Sequence, residues 1–226
     1  MALSVTHLVG FGATEGIIPA SLSFRTNTFS ETDLTTYTFS SQDIGTAVTG
    51  RRVIVGVGGV AAASRTISSV TIGGNSAAQS VFAEATTTAA EQAAIYVLQV
   101  DAGTTADIVV TWSSGMVRCA IGVWAAYDLQ SSTATHTGSS TASPSTANLN
   151  VSAGGVAFGM AINLQNSGTN TYTWNNLTEA FDASFGSGIG TYSGAGSTFA
   201  TAQSGLTITA TPTGSDGRVM AIASYR

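Results

Sequence analysis

The chain contains no lysine, and all seven of its basic residues are arginines. Charged residues make up only 8% of the 226 residues, and the net charge is −5, whereas an ordinary soluble domain is about 25% charged. A protein that binds nucleic acid through phosphate contacts needs a basic stripe on its surface. The sequence offers no such stripe, so we expect no nucleic-acid partner.

Cysteine and histidine are also scarce. The single cysteine, Cys119, cannot form an intrachain disulfide, and it falls on the apolar face of a predicted strand. We expect it to be buried rather than reactive, because a reactive thiol needs an accessible, electropositive setting. The two histidines, His7 and His136, are far apart in the sequence, and no G-x-S-x-G motif is present. These residues predict no catalytic triad, no zinc site and no cofactor. We expect no enzyme, with a hydrolase built on a pair of acidic residues as the third alternative.

Long hydrophobic runs are missing as well. The longest apolar run, residues 53–63, is too short to cross a bilayer. The N-terminal sequence MALSVTHLVG lacks the basic start and the long apolar stretch of a signal peptide. We therefore expect a soluble protein that is made in the cytoplasm and has no membrane partner.

Hydrophobic residues that alternate with serine, threonine and glycine recur along the whole chain. Residues 92–127 show this pattern most clearly and predict a meander of three strands, each with one apolar face. The side chains assigned to these faces are Ala94, Tyr96, Leu98 and Val100 on the first strand, Ile108, Val110 and Trp112 on the second, and Val117, Cys119, Ile121, Val123, Ala125 and Tyr127 on the third. A second sheet must cover these faces, so the sequence predicts an all-β, two-layer antiparallel β-sandwich.

The expected organisation is a single sandwich domain over residues 1–226. Residues 1–32, with weak alternation, are predicted to be an N-terminal arm or an edge strand. Residues 129–148 are rich in serine and threonine and are predicted to be an exposed loop.

One internal similarity leaves a second organisation open. Segments 108–112 and 118–127 resemble segments 206–210 and 218–225, because each pair is a strand, a turn and a second strand that opens with arginine. Two similar half-sheets, or two stacked domains on either side of the loop, would also explain this pattern.

Two patterns imitate functional motifs. Residues 52–64 imitate a dinucleotide-binding fingerprint, but neither a helix nor a suitably spaced acidic residue follows. We interpret Gly56, Gly58 and Gly59 as positions where another sheet or a loop approaches closely. Acidic residues at strand ends and turns could form a catalytic pair like that of a glycosidase, and this alternative stays open. We interpret these residues as caps of backbone N–H groups. No calcium-loop motif occurs. These acids are Asp101, Asp107, Asp128, Asp182 and Asp216.

Aromatic residues gather in the region 172–192, which is rich in glycine and asparagine. Exposed rings in such a region can stack on sugars, and Tyr172, Trp174 and Tyr192 are the candidate glycan contacts. Alternation places Tyr172 and Trp174 on one face of a strand, which is equally what a hydrophobic core requires.

Three runs of sequence resemble a known domain: SSVTIGGNSAAQSVFA, AAIYVLQVDAGTTADIVVTWSS and a following strand that ends in AAYDLQSS. Together they resemble the jelly-roll-like β-sandwich domain of tailed-phage virion proteins. Residues 66–128 carry most of the resemblance, and residues 149–226 agree more weakly. The tryptophan that often precedes the first run in that family is absent, and residues 1–32 have no counterpart.

This resemblance implies a structural protein of a phage virion, assembled in the host cytoplasm: a capsid decoration protein, a head-fibre subunit or a tail-associated protein. Its partners would be other virion proteins and further copies of itself, with a trimer common in the family. The resemblance carries no catalytic residue. We expect residues 1–32 to make part of the docking contact, and Arg118, echoed by Arg218, to be interface residues. The alternative is a carbohydrate-binding or adhesion module that recognises host glycans.

Overall fold

A computed structural model describes residues 17–86, 89–164, 171–186, 190–214 and 218–226. In these ranges the chain forms seventeen strands, which pair antiparallel, and no helix that could span a membrane. The predicted all-β antiparallel sandwich is confirmed. The strands are β1 (Ser21–Ser30), β2 (Leu34–Asp43), β3 (Arg52–Ala61), β4 (Ile67–Ile72), β5 (Asn75–Ser76), β6 (Ala78–Thr86), β7 (Ala90–Gln99), β8 (Thr105–Met116), β9 (Arg118–Tyr127), β10 (His136–Ser140), β11 (Ser145–Val151), β12 (Gly155–Leu164), β13 (Tyr172–Asn175), β14 (Thr178–Ser184), β15 (Gly190–Phe199), β16 (Gln203–Pro212) and β17 (Arg218–Tyr225).

These strands form four sheets. Outer sheet 1 has the order β2-β8-β4-β5, and inner sheet 1 has the order β1-β9-β3-β7-β6. Inner sheet 2 has the order β10-β17-β12-β15-β14, and outer sheet 2 has the order β11-β16-β13. The first two sheets come from the N-terminal half of the chain and the last two from the C-terminal half.

Three hydrophobic cores lie between the sheets, which are stacked as outer 1, inner 1, inner 2 and outer 2. Trp112 of outer sheet 1 packs in the first core with Val55 of inner sheet 1. The shared core joins the two inner sheets and contains Trp124 and Phe158, and the third core lies between inner sheet 2 and outer sheet 2. The central strands of the inner sheets are consequently buried on both faces: the burial of β17 is complete along its length.

Each half of the chain repeats the same strand order. The eight strands of the C-terminal half, β10 to β17, correspond in order to β1, β2, β3, β4, β6, β7, β8 and β9. With this match the inner and outer sheets of the two halves have identical strand orders, and β5 is the one addition. In both halves the first, last and third strands are neighbours in one sheet, as in a jelly roll. The predicted two-layer sandwich therefore occurs twice, and segments 108–127 and 206–225 resemble each other because they are equivalent strand pairs.

The two halves face each other across the shared core, but more closely on one side than on the other. Strand β3 packs against its own equivalent β12, and β6 lies beside β10 as the equivalent strands β14 and β1 lie beside each other. Strands β6 and β7 also approach β17 and β12 closely, whereas the equivalent strands β14 and β15 stay farther from β9 and β3. The two-fold relation between the halves is therefore approximate.

The side-chain faces predicted for residues 92–127 are confirmed, but their arrangement as a meander is wrong. Tyr96, Trp112 and Ile121, one from each strand, all lie in the first core. Strand β8, however, belongs to outer sheet 1, and β3 separates β7 from β9. After β7 the chain crosses from inner sheet 1 to outer sheet 1, and it returns at the corner between Met116 and Arg118. Chains commonly pass from one packed sheet to another at such bends.

Two other expectations are resolved by the strand pattern. Residues 129–148 are not a continuous exposed loop, because they include β10 and the start of β11; both are edge strands, which tolerate hydroxyl-rich sequences. In β3, a Cβ atom at Gly56 would lie 3.1 Å from Met160 Sδ and one at Gly59 would lie 2.7 Å from the Trp112 ring. The predicted close approach of another sheet at these glycines is confirmed.

Candidate functional site

Residues 17–30 carry most of the exposed large apolar side chains in the described part of the chain. There are five such side chains, and three of them are Ile17 (60% exposed), Ile18 (69%) and Phe29 (37%). The other two are Leu34 and Val48. Ile17 and Ile18 lie together at one end of the segment, whereas Phe29 lies at its other end beside Leu34. Exposed apolar residues that lie together commonly mark protein contacts, so Ile17 and Ile18 are the first candidates for a functional surface.

The same segment is firmly attached to the fold. The backbone N–H of Ala20 donates to the Gly154 carbonyl at 2.8 Å, and β1 then pairs with β9 as the edge strand of inner sheet 1. Residues 1–32 were predicted to be either an N-terminal arm or an edge strand, and residues 21–30 form an edge strand. Residues 1–16, which include His7, lie outside the described residues.

A groove of about 480 Å³, the end groove, opens beside Ile17 and Ile18. It is lined by Arg52 and Arg226, whose guanidinium groups bond to neutral oxygens only. Arg226 Nη2 donates to the Ile18 carbonyl at 3.1 Å, and Arg52 Nη1 donates to the Gly50 carbonyl at 2.6 Å. The ion pairs of the described residues join other arginines, Arg25 and Arg118, to aspartates. The end groove therefore combines apolar side chains, two guanidinium groups outside these ion pairs and the carboxylate of Asp128.

The arginines predicted as interface residues bond to their own chain. Arg118 Nη1 donates to the carbonyls of Glu31 and Val117, both at 2.7 Å, and lies 3.7 Å from Asp33 Oδ1. Arg218 is 6% exposed and donates from Nη2 to the Gly214 carbonyl. The two residues begin the equivalent strands β9 and β17, but they fasten different loops: Arg118 bonds to the loop between β1 and β2, and Arg218 to the loop between β16 and β17. Their role at an interface stays a prediction.

No family model, curated protein or solved structure matches this chain. The function must therefore be argued from the geometry of its surfaces.

The three candidate glycan contacts are not an exposed platform, and that assignment is corrected. Tyr172 and Trp174 are 4% and 8% exposed and lie in the third core, because β13 turns their shared face toward inner sheet 2. Trp174 Nε1 donates to Ser193 Oγ at 2.8 Å. Tyr192 lies in the shared core, where its hydroxyl donates to Asn27 Oδ1 at 3.1 Å. All three rings belong to the hydrophobic cores.

Three of the five acidic side chains cap backbone N–H groups, as interpreted from their positions, but Asp128 is exposed, lines the end groove and caps no N–H of the described residues. Asp101 accepts from the Gly50 N–H and Asp107 from the Ser41 N–H, both at 2.8 Å. Asp182 accepts from the N–H of Tyr172 at 2.7 Å, whereas Asp216 lies outside the described residues. Within the described ranges, no three His, Cys, Asp or Glu side chains come together in a group that could hold a metal ion.

Cys119 is buried in the first core, and burial raises its pKa to about 12. The thiol therefore stays protonated at neutral pH and packs as a small apolar side chain. The interpretation of Cys119 as a core residue is confirmed.

Sequence reasoning missed two buried ionisable groups. The guanidinium of Arg51 donates to the carbonyls of Val100, Gly45 and Ala102 at 2.7 to 2.9 Å, and burial lowers its pKa. Glu91 is completely buried, and neither of its carboxylate oxygens has a hydrogen-bond partner among the described residues. Arg51 holds loops together, while burial raises the pKa of Glu91 to about 7.

Proposed function

We propose that this protein is a structural component of a tailed-phage virion, a capsid decoration or head-fibre subunit or a tail-associated protein, which acts through contacts with other virion proteins. The observation that carries this proposal is the exposed apolar pair Ile17 and Ile18 beside the end groove, in the segment for which sequence analysis predicted a docking role. The resemblance of residues 66–128 to virion jelly-roll domains supplies the kind of partner.

The rest of the structure supports a role as a rigid building block. Four stacked sheets with three cores present stiff, hydroxyl-rich faces with few charges. Such a body can be held by a small apolar contact at one end, because a contact needs only a buried apolar centre and a polar rim to exclude water. Ile17 and Ile18 would be the centre, and Arg52 and Arg226 would belong to the rim.

Deleting residues 1–32 would not test this proposal cleanly, because it removes β1 from inner sheet 1. The double variant Ile17→Ser/Ile18→Ser changes only the exposed part of the segment, and the fold should be unaffected. We expect particles of the encoding phage, purified on a density gradient and quantified by mass spectrometry, to contain at least tenfold less of this variant than of the wild type.

Leu34→Ser provides a matched control, since Leu34 is also exposed and apolar (42%) but lies in β2. It should be incorporated as the wild type is. The absence of the wild-type protein from purified particles would refute a virion role. Normal incorporation of the double variant would leave the virion role standing and refute the docking role of Ile17 and Ile18.

A further inference from the structure

The two inner sheets meet along two seams at the surface, and one of them is bordered by aromatic rings. Edge strand β1 of inner sheet 1 and edge strand β14 of inner sheet 2 border a groove of about 380 Å³, the aromatic seam groove. Each of these strands has a register shift at this point, between Phe24 and Thr26 in β1 and between Glu179 and Phe181 in β14. Such β-bulges re-aim side chains and are common beside binding sites.

A rigid cluster of rings forms the floor of this groove. Phe24 stacks on Phe181 at a centroid distance of 5.3 Å and meets Trp124 edge-on at 5.6 Å. Phe181 fits where Gly122 and Gly194 leave space, since a Cβ atom on either glycine would collide with its ring. Phe24, which is half-buried, is therefore held in one orientation with part of its surface facing the groove.

Polar groups stand on the β14 and β15 side of the groove. Glu179 is exposed, and its carboxylate has no hydrogen-bond or ion-pair partner among the described residues. Partial burial and the neighbouring charge of Asp182 raise its pKa above the ordinary value. The Ser197 hydroxyl donates to Thr178 Oγ1 at 3.3 Å and accepts from the Thr178 N–H at 2.9 Å, and the exposed Thr198 adds a further hydroxyl.

The pseudo-two-fold arrangement supplies an internal comparison. The equivalent seam, between β6 and β10, also holds a groove, of about 330 Å³. None of the described residues that line it is aromatic or charged; they are Ala78, Gln79, Ser80, Ser132, Thr133, Ala134 and Thr137. The fold therefore does not require rings or a carboxylate at this position, and the aromatic seam groove is a specific feature of the other seam.

We propose that the aromatic seam groove binds a saccharide, with one face of a sugar ring against Phe24 and Leu22 and its hydroxyl groups bonded to Glu179 and Thr198. A sugar ring has an apolar C–H face and a polar edge, which matches an aromatic floor beside a carboxylate. A carboxylate can accept two hydrogen bonds from neighbouring hydroxyls, and such charge-assisted bonds are strong. A purely apolar occupant would cover the Glu179 carboxylate without a partner, which is costly.

A glycan array of defined neutral and amino-sugar oligosaccharides, probed with the full chain, tests this site. We expect the wild type to bind a subset of the array. Glu179→Gln keeps the shape of an exposed side chain, and it should weaken the affinity for these oligosaccharides by about tenfold or more, the equivalent of one charge-assisted hydrogen bond. Phe24→Leu keeps the apolar volume but removes the ring face, and it should weaken the same interactions.

Thr137→Ala alters an exposed residue of the opposite seam and should bind as the wild type does. Unfolding midpoints of all variants would show whether lost binding reflects lost structure, and Glu179→Gln remains informative if Phe24→Leu fails to fold. The proposal is overturned if no oligosaccharide binds the wild type, if binding is unchanged in Glu179→Gln, or if the groove is found to bind peptides and not sugars.

Discussion

Replacing Glu91 by glutamine should stabilise the protein at neutral and alkaline pH. It should also remove the part of the pH dependence of stability that comes from the buried Glu91 carboxyl. Glu91 lies in β7 and is fully buried, with both carboxylate oxygens unpartnered among the described residues. Burial raises the pKa of Glu91 from 4.5 to about 7. The carboxyl is therefore neutral in the folded protein under conditions where the unfolded chain has already ionised it.

The sign and size of the effect follow from proton linkage. Between pH 4.5 and about 7 the folded state holds a proton that the unfolded state has lost, so the free energy of unfolding falls as the pH rises through this range. Each pH unit between the two pKa values corresponds to about 1.4 kcal/mol, so the total loss is about 3 kcal/mol above pH 7. Glutamine does not titrate, and Glu91→Gln should lack this loss.

Urea unfolding at several pH values between 4 and 8 would measure the difference. Any constant effect of the amide appears at every pH, so the quantity to compare is the change with pH. We expect the stability of Glu91→Gln minus that of the wild type to rise by about 3 kcal/mol from pH 4 to pH 8. Parallel curves for the two proteins would show that the Glu91 carboxylate is solvated or paired, and would refute the reasoning.

Three further predictions concern other buried positions. Partial burial would raise the pKa of Glu84, but hydrogen bonds from Ser64, Gln92 and the Arg65 N–H outweigh this effect and lower the pKa. Glu84→Gln should therefore remove stability that is present above pH 4.5 and lost on acidification. In the same urea assay its pH dependence should have the opposite slope to that of Glu91→Gln. A Cβ atom at Gly58 would collide with the side chain of Ile162, so Gly58→Val should cost about 1 to 3 kcal/mol in urea unfolding; an unchanged midpoint would mean that the inner sheets can separate freely. Cys119 should resist iodoacetamide until the protein unfolds, because its thiol is buried with a raised pKa; rapid alkylation of the native protein, followed by mass spectrometry, would contradict its placement in the core.

Alternation along single strands made the strands and their faces predictable. The outer strand β8 alternates in burial over Ile108, Val110 and Trp112, and this pattern is local to the sequence. The stacking of the sheets was harder to predict. Strands β3, β9, β12 and β17 are continuous apolar runs because both of their faces are covered, and these runs were the available signal for a structure of more than two layers.

The candidate site depended on contacts that are distant in the sequence. The sequence pattern could assign Trp174 to one face of its strand. It could not show whether that face lies in a hydrophobic core or in solvent, because the pattern of a single strand does not reveal what covers it. The aromatic seam groove brings residues 22–24 beside residues 178–180 and 196–198. No short motif spans such distances, and only the packing of β1 beside β14 unites them.

The matching strand orders of the two halves have a consequence for how the protein can change. In a homodimer of identical jelly rolls, both seams would carry the same residues, and any substitution would alter both at once. Joining the halves in one chain removes this constraint, because a codon in one half has no copy in the other. One seam could acquire rings and a carboxylate while its counterpart kept small hydroxyl side chains. A single chain with two similar halves can therefore carry different residues at its two seams while both halves keep the same strand order.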